Sequence, residues 1–423
     1  MNRTDFPRLG ERLYEDRLPC GLLVRVVPKP GFAKTYAFLA VDYGSIDTAF
    51  TADGVRVDSP RGVAHYLEHK MFDMPDGSAM QQFSKFGGNP NAFTSYDITA
   101  YYVECTDRVA ENLRTLLNFV ATPYFTDESV EKERGIIAQE IRMYEDSADS
   151  RVYESLFGAI FAHHPVRHAI AGTVESIGEI TKDTLYACYN AFYTPANQVL
   201  CVVGDVDPEE IYRIAAETIP DRPSPVLVRD YGPAETMRPQ TSLVESAMEV
   251  SMPTFALGFK TEPAAPGPDS MVQELLGELA AECLMGESSP LYTRLYEDGR
   301  IDADFSCGYE GLKGVSLLTA GGDSRDPYAV RDAILEEAQR LGRTGIDPTL
   351  FEQLKRSAFG RRIRGLDSFE SICYRLCAYH FEGVEYLTFP EVFAQVTLAR
   401  VEEFLRRTVT EERSALSVIR PRS

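Results

Sequence analysis

Apolar residues recur along this chain with two different periods. Runs rich in β-branched and aromatic residues, bounded by Pro and Gly, predict strands over Gly21 to Val27 and Thr35 to Tyr43. A helical stripe then passes through Val63, Leu67 and Met71, with Ser59 placed to cap it and Pro60 suited to its first turn. A Gly- and Asn-rich turn at Gly87 to Asn91 leads into a strand-like run from Ala92 to Cys105. Helices follow over Arg108 to Ala121, stopped by Pro123, and over Asp127 to about Tyr144, where acidic residues in the first turn complement the helix dipole. A helix over Lys182 to Ala191 and an apolar strand from Gln198 to Val203 close this half.

Pro220, Pro223, Pro225, Pro233 and Pro239 crowd the next stretch, and proline denies hydrogen-bond donors to a core element, so a linker is expected there. Beyond it the order recurs. A strand is expected around Thr254 to Phe259, a long helix from Asp269 to Leu284, strands at Ala303 to Tyr309 and Val315 to Ala320, and helices over Tyr328 to Leu341 and Thr349 to Arg364. More helix runs toward Thr408, and a strand over Ala415 to Ile419 sits where Gln198 to Val203 sat before. The expected architecture is α+β: two homologous α/β domains in tandem, each a mixed sheet with helices packed on it. The expected division is residues 1–219, a linker over 220–240, and residues 241–423.

Composition narrows the partners. A chain of 423 residues exceeds what one core usually holds, and 44% hydrophobic with 25% charged residues is ordinary for a globular protein. The 43 Lys and Arg against 64 Asp and Glu give a net charge of −21, which argues against nucleic acid because phosphates would be repelled. The same charge suits an acidic chamber that prefers cationic peptides. No run approaches the roughly 18–20 apolar residues of a membrane span, and Met1 to Tyr14 lacks the apolar stretch of a signal peptide, so a soluble cytoplasmic protein is expected, with no membrane partner. The eight cysteines show no C-x-x-C pair and read as buried thiols of a reducing compartment. Cys373 and Cys377 stand i, i+4 on an expected helix, yet no second thiolate pair accompanies them as a metal site would require.

The chemistry gathers at His65, Glu68 and His69, an H-x-x-E-H pattern. On a helix the two histidines lie one turn apart on one face, so both imidazoles can meet a single ion while Glu68 leans toward the same edge. Two histidines, a third ligand and a water would make an open site suited to hydrolysis, with a carboxylate taking the proton of the water. Glu140 is the best candidate for the third ligand, and Glu133, seven residues earlier on the same helix face, for a carboxylate that orients a ligand. Ile136, Ile137 and Ile141 interleave with them and are expected to draw that helix into the core. His163, His164 and His168 lie in a Pro-containing loop without helical spacing, and read as structural or substrate-adjacent.

The run from Gly62 through His65, Glu68 and His69 to Phe72 resembles the zinc helix of the insulinase (pitrilysin) metallopeptidases, zincins with an inverted motif. Gly87-Gly88-Asn89-Pro90-Asn91-Ala92-Phe93-Thr94, followed by Thr99-Ala100-Tyr101, is similar to that family's Gly-Gly-x-x-Asn-Ala-x-Thr segment. Glu133 and Glu140 fall where the family keeps its supporting and ligand glutamates, and Ser288-Ser289-Pro290-Leu291-Tyr292 resembles the second-half pattern of its bacterial, processing-peptidase-like subgroup of short two-domain chains. The resemblance implies half of a clam-shell chamber that admits unfolded or precursor peptides. It implies one zinc ion per chain on His65, His69 and Glu140, Glu68 as general base, and Glu133 in support. Substrate would add as a strand along Asn91, Ala92, Phe93 and Thr94.

One departure stands out. The family's substrate-steadying Arg and Tyr, seven apart, align here with Tyr296 and Ala303. The chain is therefore expected to be the zinc-bearing subunit of a heterodimer whose partner, a paralogue lacking the zinc motif, supplies that pair. Tyr309 or residues near Arg300 are the substitutes that would keep a homodimer open. A non-catalytic scaffold or assembly subunit is the alternative from another functional class.

Overall fold

The computed structural model describes residues 1–75 and 77–422. Its first large sheet has seven strands: β1 (Asn2–Phe6), β2 (Glu11–Arg17), β3 (Leu23–Pro28), β4 (Thr35–Val41), β5 (Asn89–Thr94), β6 (Thr99–Cys105) and β7 (Gln198–Gly204). They run in the order β1-β2-β3-β7-β4-β6-β5. β3 and β7 pair in parallel, and the other neighbours are antiparallel. Every residue of β4 and β7 is buried, which is why both read as continuous apolar runs rather than alternating ones.

The second large sheet has five strands: β8 (Leu243–Met248), β9 (Thr254–Thr261), β10 (Ser306–Leu312), β11 (Val315–Asp323) and β12 (Ser414–Pro421), in the order β8-β12-β9-β11-β10. Here β8 and β12 are the parallel pair. Set against β3-β7-β4-β6-β5, order and sense agree strand for strand, so the first sheet is the second with an N-terminal hairpin added. The tandem α+β architecture follows from that identity of topology.

Six helices matter for the site and its counterpart: α1 (Val63–Met71), α2 (Asp127–Glu145), α3 (Ala148–Ile160), α4 (Pro268–Met285), α5 (Pro348–Gly365) and α6 (Phe369–Phe381). The chain forms two compact units, neither contiguous in sequence. The first gathers Met1–Ile141, Ala169–Tyr231 and Ile363–Thr388; the second gathers Arg142–His168, Gly232–Arg362 and Phe389 onward. In the first unit α6 lies on β4 and β7, and in the second α3 lies on β9 and β12. Each of these two helices is capped by a serine hydroxyl, Ser147 or Ser368.

Several local expectations change. Ser59 does not cap α1: its hydroxyl donates to the Thr48 carbonyl at 3.0 Å. The cap position belongs to Gly62, at φ 89°, where a Cβ would meet the Ala171 carbonyl oxygen at 2.3 Å, so only glycine fits. The run from Ala92 to Cys105 is broken into the hairpin β5–β6. Ser95 makes the break by donating its N–H to the Ile98 carbonyl at 2.8 Å and accepting the Ile98 N–H on its hydroxyl at 3.2 Å. The strand expected from Ala303 begins at Ser306. Inside the Pro-rich stretch, Leu227–Arg229 pairs antiparallel with Ala49–Ala52, and Arg229 bridges Asp42 and Asp47 at 2.9 Å each. Prolines there exclude long strands without freeing the chain. Cys373 and Cys377 are buried, their thiols against the carbonyls of Cys201 (3.7 Å) and Val199 (4.0 Å). Among the described residues, no helix is long and apolar enough to cross a membrane.

Candidate metal centre

The site is built by pinning α2 across α1. Tyr66 and Lys70 stand i, i+4 on α1, each one residue beyond a histidine of the motif. The Tyr66 hydroxyl donates to the Val130 carbonyl, and the Lys70 ammonium donates to the Ser129 carbonyl at 3.2 Å while pairing with Asp73. Both side chains are buried, so these bonds to the first turn of α2 form away from water and fix the register of the two helices. This clamp was not anticipated; its signal was a lysine at helical spacing inside an apolar stripe. Along α2, Val130, Ile137 and Ile141 are buried as the register requires, whereas Ile136 is 47% exposed on the open side near Glu140, contrary to the expectation that it enters the core.

With α2 so placed, His65, His69 and Glu140 bring one ligand atom each within 4.8 Å of one another, the one such trio of His, Cys, Asp or Glu among the described residues. The Nε2 atoms of His65 and His69 lie 3.6 and 3.5 Å from the two oxygens of Glu140, and the imidazole centroids are 4.6 Å apart. Glu133 takes the other nitrogen of His69: Nδ1 to Oε1 is 3.0 Å, which fixes the ring and leaves Nε2 facing the trio. Nδ1 of His65 is buried with no hydrogen-bond partner.

Charge is finely set here. Burial opposes protonation of His69, but the bond to Glu133 and the carboxylates of Glu68 and Glu140 outweigh it and raise its pKa. The same bond lowers the Glu133 carboxyl. Glu68 moves the other way, because burial pushes its pKa up despite His65 and the Thr94 hydroxyl, which donates to Oε2 at 2.8 Å. A carboxylate lifted toward neutrality beside a trio of donors is the state a general base needs. Thr94 ends β5, an edge strand in contact with α1, with Asn91 exposed and Ala92, Phe93 and Thr94 half-buried.

The remaining candidates lie elsewhere. His163, His164 and His168 fall in the second unit, where the amides of His163 and His164 donate to Glu235 at 2.6 and 2.8 Å and the His164 ring accepts from the Val166 amide at 3.2 Å. Burial pushes His164 down to about 4, so it sits neutral as a structural group. Tyr296 is exposed and stacks on Tyr292, with centroids 6.0 Å apart. Tyr309 is half-buried, and Gln273 donates to its hydroxyl at 3.0 Å. Arg300 leans on Asp298 at 3.9 Å.

A family model described as insulinase (peptidase family M16) matches residues 52–174, and one described as the peptidase M16 inactive domain matches residues 179–358. An uncharacterized zinc protease of Bacillus subtilis (strain 168), YmfH, is 38% identical over 429 residues, covering 99% of this chain and 99% of its own. The chain belongs to the insulinase family. Among solved structures, an M16-like peptidase from Alicyclobacillus acidocaldarius is 34% identical with a TM-score of 0.94, covering 97% of this chain and 99% of its own. A protease from Helicobacter pylori, at 19% identity and a TM-score of 0.83, covers 97% of this chain and 100% of its own and shares the fold. All five residues around the insulinase-family motif, His65, Glu68, His69, Glu133 and Glu140, fall inside the 52–174 match and outside the inactive-domain match.

Proposed function

We propose that this chain is a zinc-dependent endopeptidase that hydrolyses unfolded peptides or precursor and leader peptides. The observation that carries the proposal is the convergence of two imidazole Nε2 atoms and one carboxylate from a separate helix, with a buried carboxylate alongside. Two nitrogens and one oxygen, with one imidazole oriented by a second carboxylate, suit zinc in an open catalytic site. His65, His69 and Glu140 would hold one ion per chain, which when bound supplies an acidified water and polarises the scissile carbonyl.

The chain's own groups carry the rest. Glu68 accepts the proton of the attacking water on a carboxylate oxygen and returns it to the leaving amine, while Thr94 keeps that carboxylate aimed. Glu133 holds His69 in one tautomer. The free edge of β5 at Asn91, Ala92, Phe93 and Thr94 receives the substrate main chain as an added strand, a mode that tolerates many sequences. The active form is a dimer with a paralogue lacking the zinc motif, which brings the arginine and tyrosine that Tyr296 and Ala303 do not supply; a homodimer is the alternative. The compartment is the cytoplasm, and residues 1–219 and 241–423 are the two copies of the repeat.

Metal analysis and digestion of an unstructured peptide by the dimer test this reading together. Zinc should be stoichiometric, and Glu68→Gln should keep the metal while losing about 10²–10⁴ in kcat. A protein without stoichiometric zinc and indifferent to Glu68→Gln would be a scaffold instead.

A further inference from the structure

The two halves of the sequence correspond element by element through their topology. In the second unit α4 packs on the edge strand β10 as α1 packs on β5, and α5 meets α4 through side-chain contacts as α2 meets α1. The register along α2 and α5 is set by buried pairs at one constant offset: Val130 and Phe351, Ile137 and Ala358, Ile141 and Arg362. The same offset joins the cap serines of the following helices, Ser147 and Ser368. Along α1 and α4 a second constant offset pairs the buried Tyr66 with Leu279, Leu67 with Ala280, and Met71 with Leu284.

These registers put Arg361 where the first unit has Glu140, and Glu278 and Glu282 where it has His65 and His69. The contacts agree. Nη2 of Arg361 lies 3.0 Å from Glu278 and 2.9 Å from Glu282, so one group from the second helix again meets an i, i+4 pair on the first. Glu68 corresponds to Ala281 and Glu133 to Leu354, both buried, so the base and the orienting carboxylate have apolar counterparts. The neighbouring Arg362 closes the row on Glu274 at 2.9 Å and Glu278 at 3.1 Å.

We infer that Glu278, Glu282 and Arg361 form the silenced counterpart of the metal centre, in which a guanidinium joins the two helices as a bound cation would. This rests on the metal reading of His65, His69 and Glu140. The charge roles are exchanged: carboxylates stand on the first helix and the cation is covalently part of the second. A positive guanidinium between the two carboxylates excludes a second metal ion, and its Nη2 donates to both of them while Nη1 donates to the Ser357 hydroxyl.

The inference predicts that three substitutions reopen the site. Full-length protein carrying Glu278→His, Glu282→His and Arg361→Glu should bind two zinc ions by elemental analysis and equilibrium titration, against one for the parent. The new site should bind about 10–100-fold more weakly than the first, because Leu354 cannot orient an imidazole, and adding Leu354→Glu should tighten it. A parent with no metal would refute the reading of the first site; a parent with one and a folded triple variant still with one would overturn this inference alone. A second measurement uses zinc-stripped protein and needs no new site. Arg361→Met should lower the unfolding temperature, and adding Glu278→Gln with Glu282→Gln should recover much of that loss. Strictly additive losses would overturn the claim that the guanidinium is the link.

Discussion

The two units leave their polar groups in opposite conditions. In the second, Glu278 and Glu282 meet the guanidinium of Arg361, and Glu235 is enclosed by Lys260 at 2.7 Å and the amides of Ala162, His163 and His164. In the first, His65 keeps a buried nitrogen without a partner, Glu140 stands 3.5–3.6 Å from two imidazoles, and Glu68 is lifted from its ordinary pKa. One scaffold thus carries an ion-paired polar cluster and a histidine-rich one that keeps a buried nitrogen without a hydrogen bond. Ion pairing stabilises; convergent ring nitrogens and a carboxylate can serve a metal and a proton.

Breaking the ion-paired side should give the largest loss of stability. Glu235→Ala strands the buried Lys260 ammonium and three amides, and should cost about 3–5 kcal/mol in denaturant unfolding. The wild-type pair also sets a pH window. Burial opposes ionisation of Glu235, but Lys260 and the amides outweigh it and hold the carboxyl down to about 2 against a reference of 4.5. With the folded value depressed, its stabilisation is full above pH 4.5 and drains away as pH falls toward 2. A variant whose acid unfolding matches the parent would contradict this.

In the histidine cluster, Glu133→Gln should weaken zinc binding about 10–100-fold, read by competition with a chelator, because His69 loses the carboxylate that fixes its ring. Thr94→Val should cost about tenfold in kcat with metal content unchanged, the loss of one hydrogen bond to a charged group, and Thr94→Ser should restore most of it. Glu310 works in the opposite direction: its carboxyl accepts from the Tyr153 hydroxyl and is pushed up to about 7 by burial. A raised carboxylate stabilises fully below pH 4.5 and loses that contribution as pH rises through 7, so Glu310→Gln should gain stability relative to the parent at pH 8 but not at pH 5. Equal changes at both pH values would refute the assignment.

How much of this was legible in the sequence follows from what is local. The candidate ligands could be read because their geometry is a matter of helix spacing, His69 four positions after His65 and Glu140 seven after Glu133. The start of α1 could not, since Gly62 is required by the approach of the Ala171 carbonyl, a residue far along the chain. The clamp of Tyr66 and Lys70 on α2 was hidden for the same reason. Helices α3 and α6 left no sign of which sheet they cover, because an apolar stripe records that a helix is buried and not against what. The pairing of Leu227–Arg229 likewise depends on a distant hairpin rather than on its own prolines.

The central claim is that a single ion is held by His65, His69 and Glu140, and X-ray absorption at the zinc edge of the loaded protein tests it most directly. The account predicts a first shell of nitrogen and oxygen alone at about 2.0–2.1 Å, with imidazole back-scattering that weakens in His65→Ala. Sulfur at about 2.3 Å, unchanged by His65→Ala, would place the metal on cysteines and contradict it.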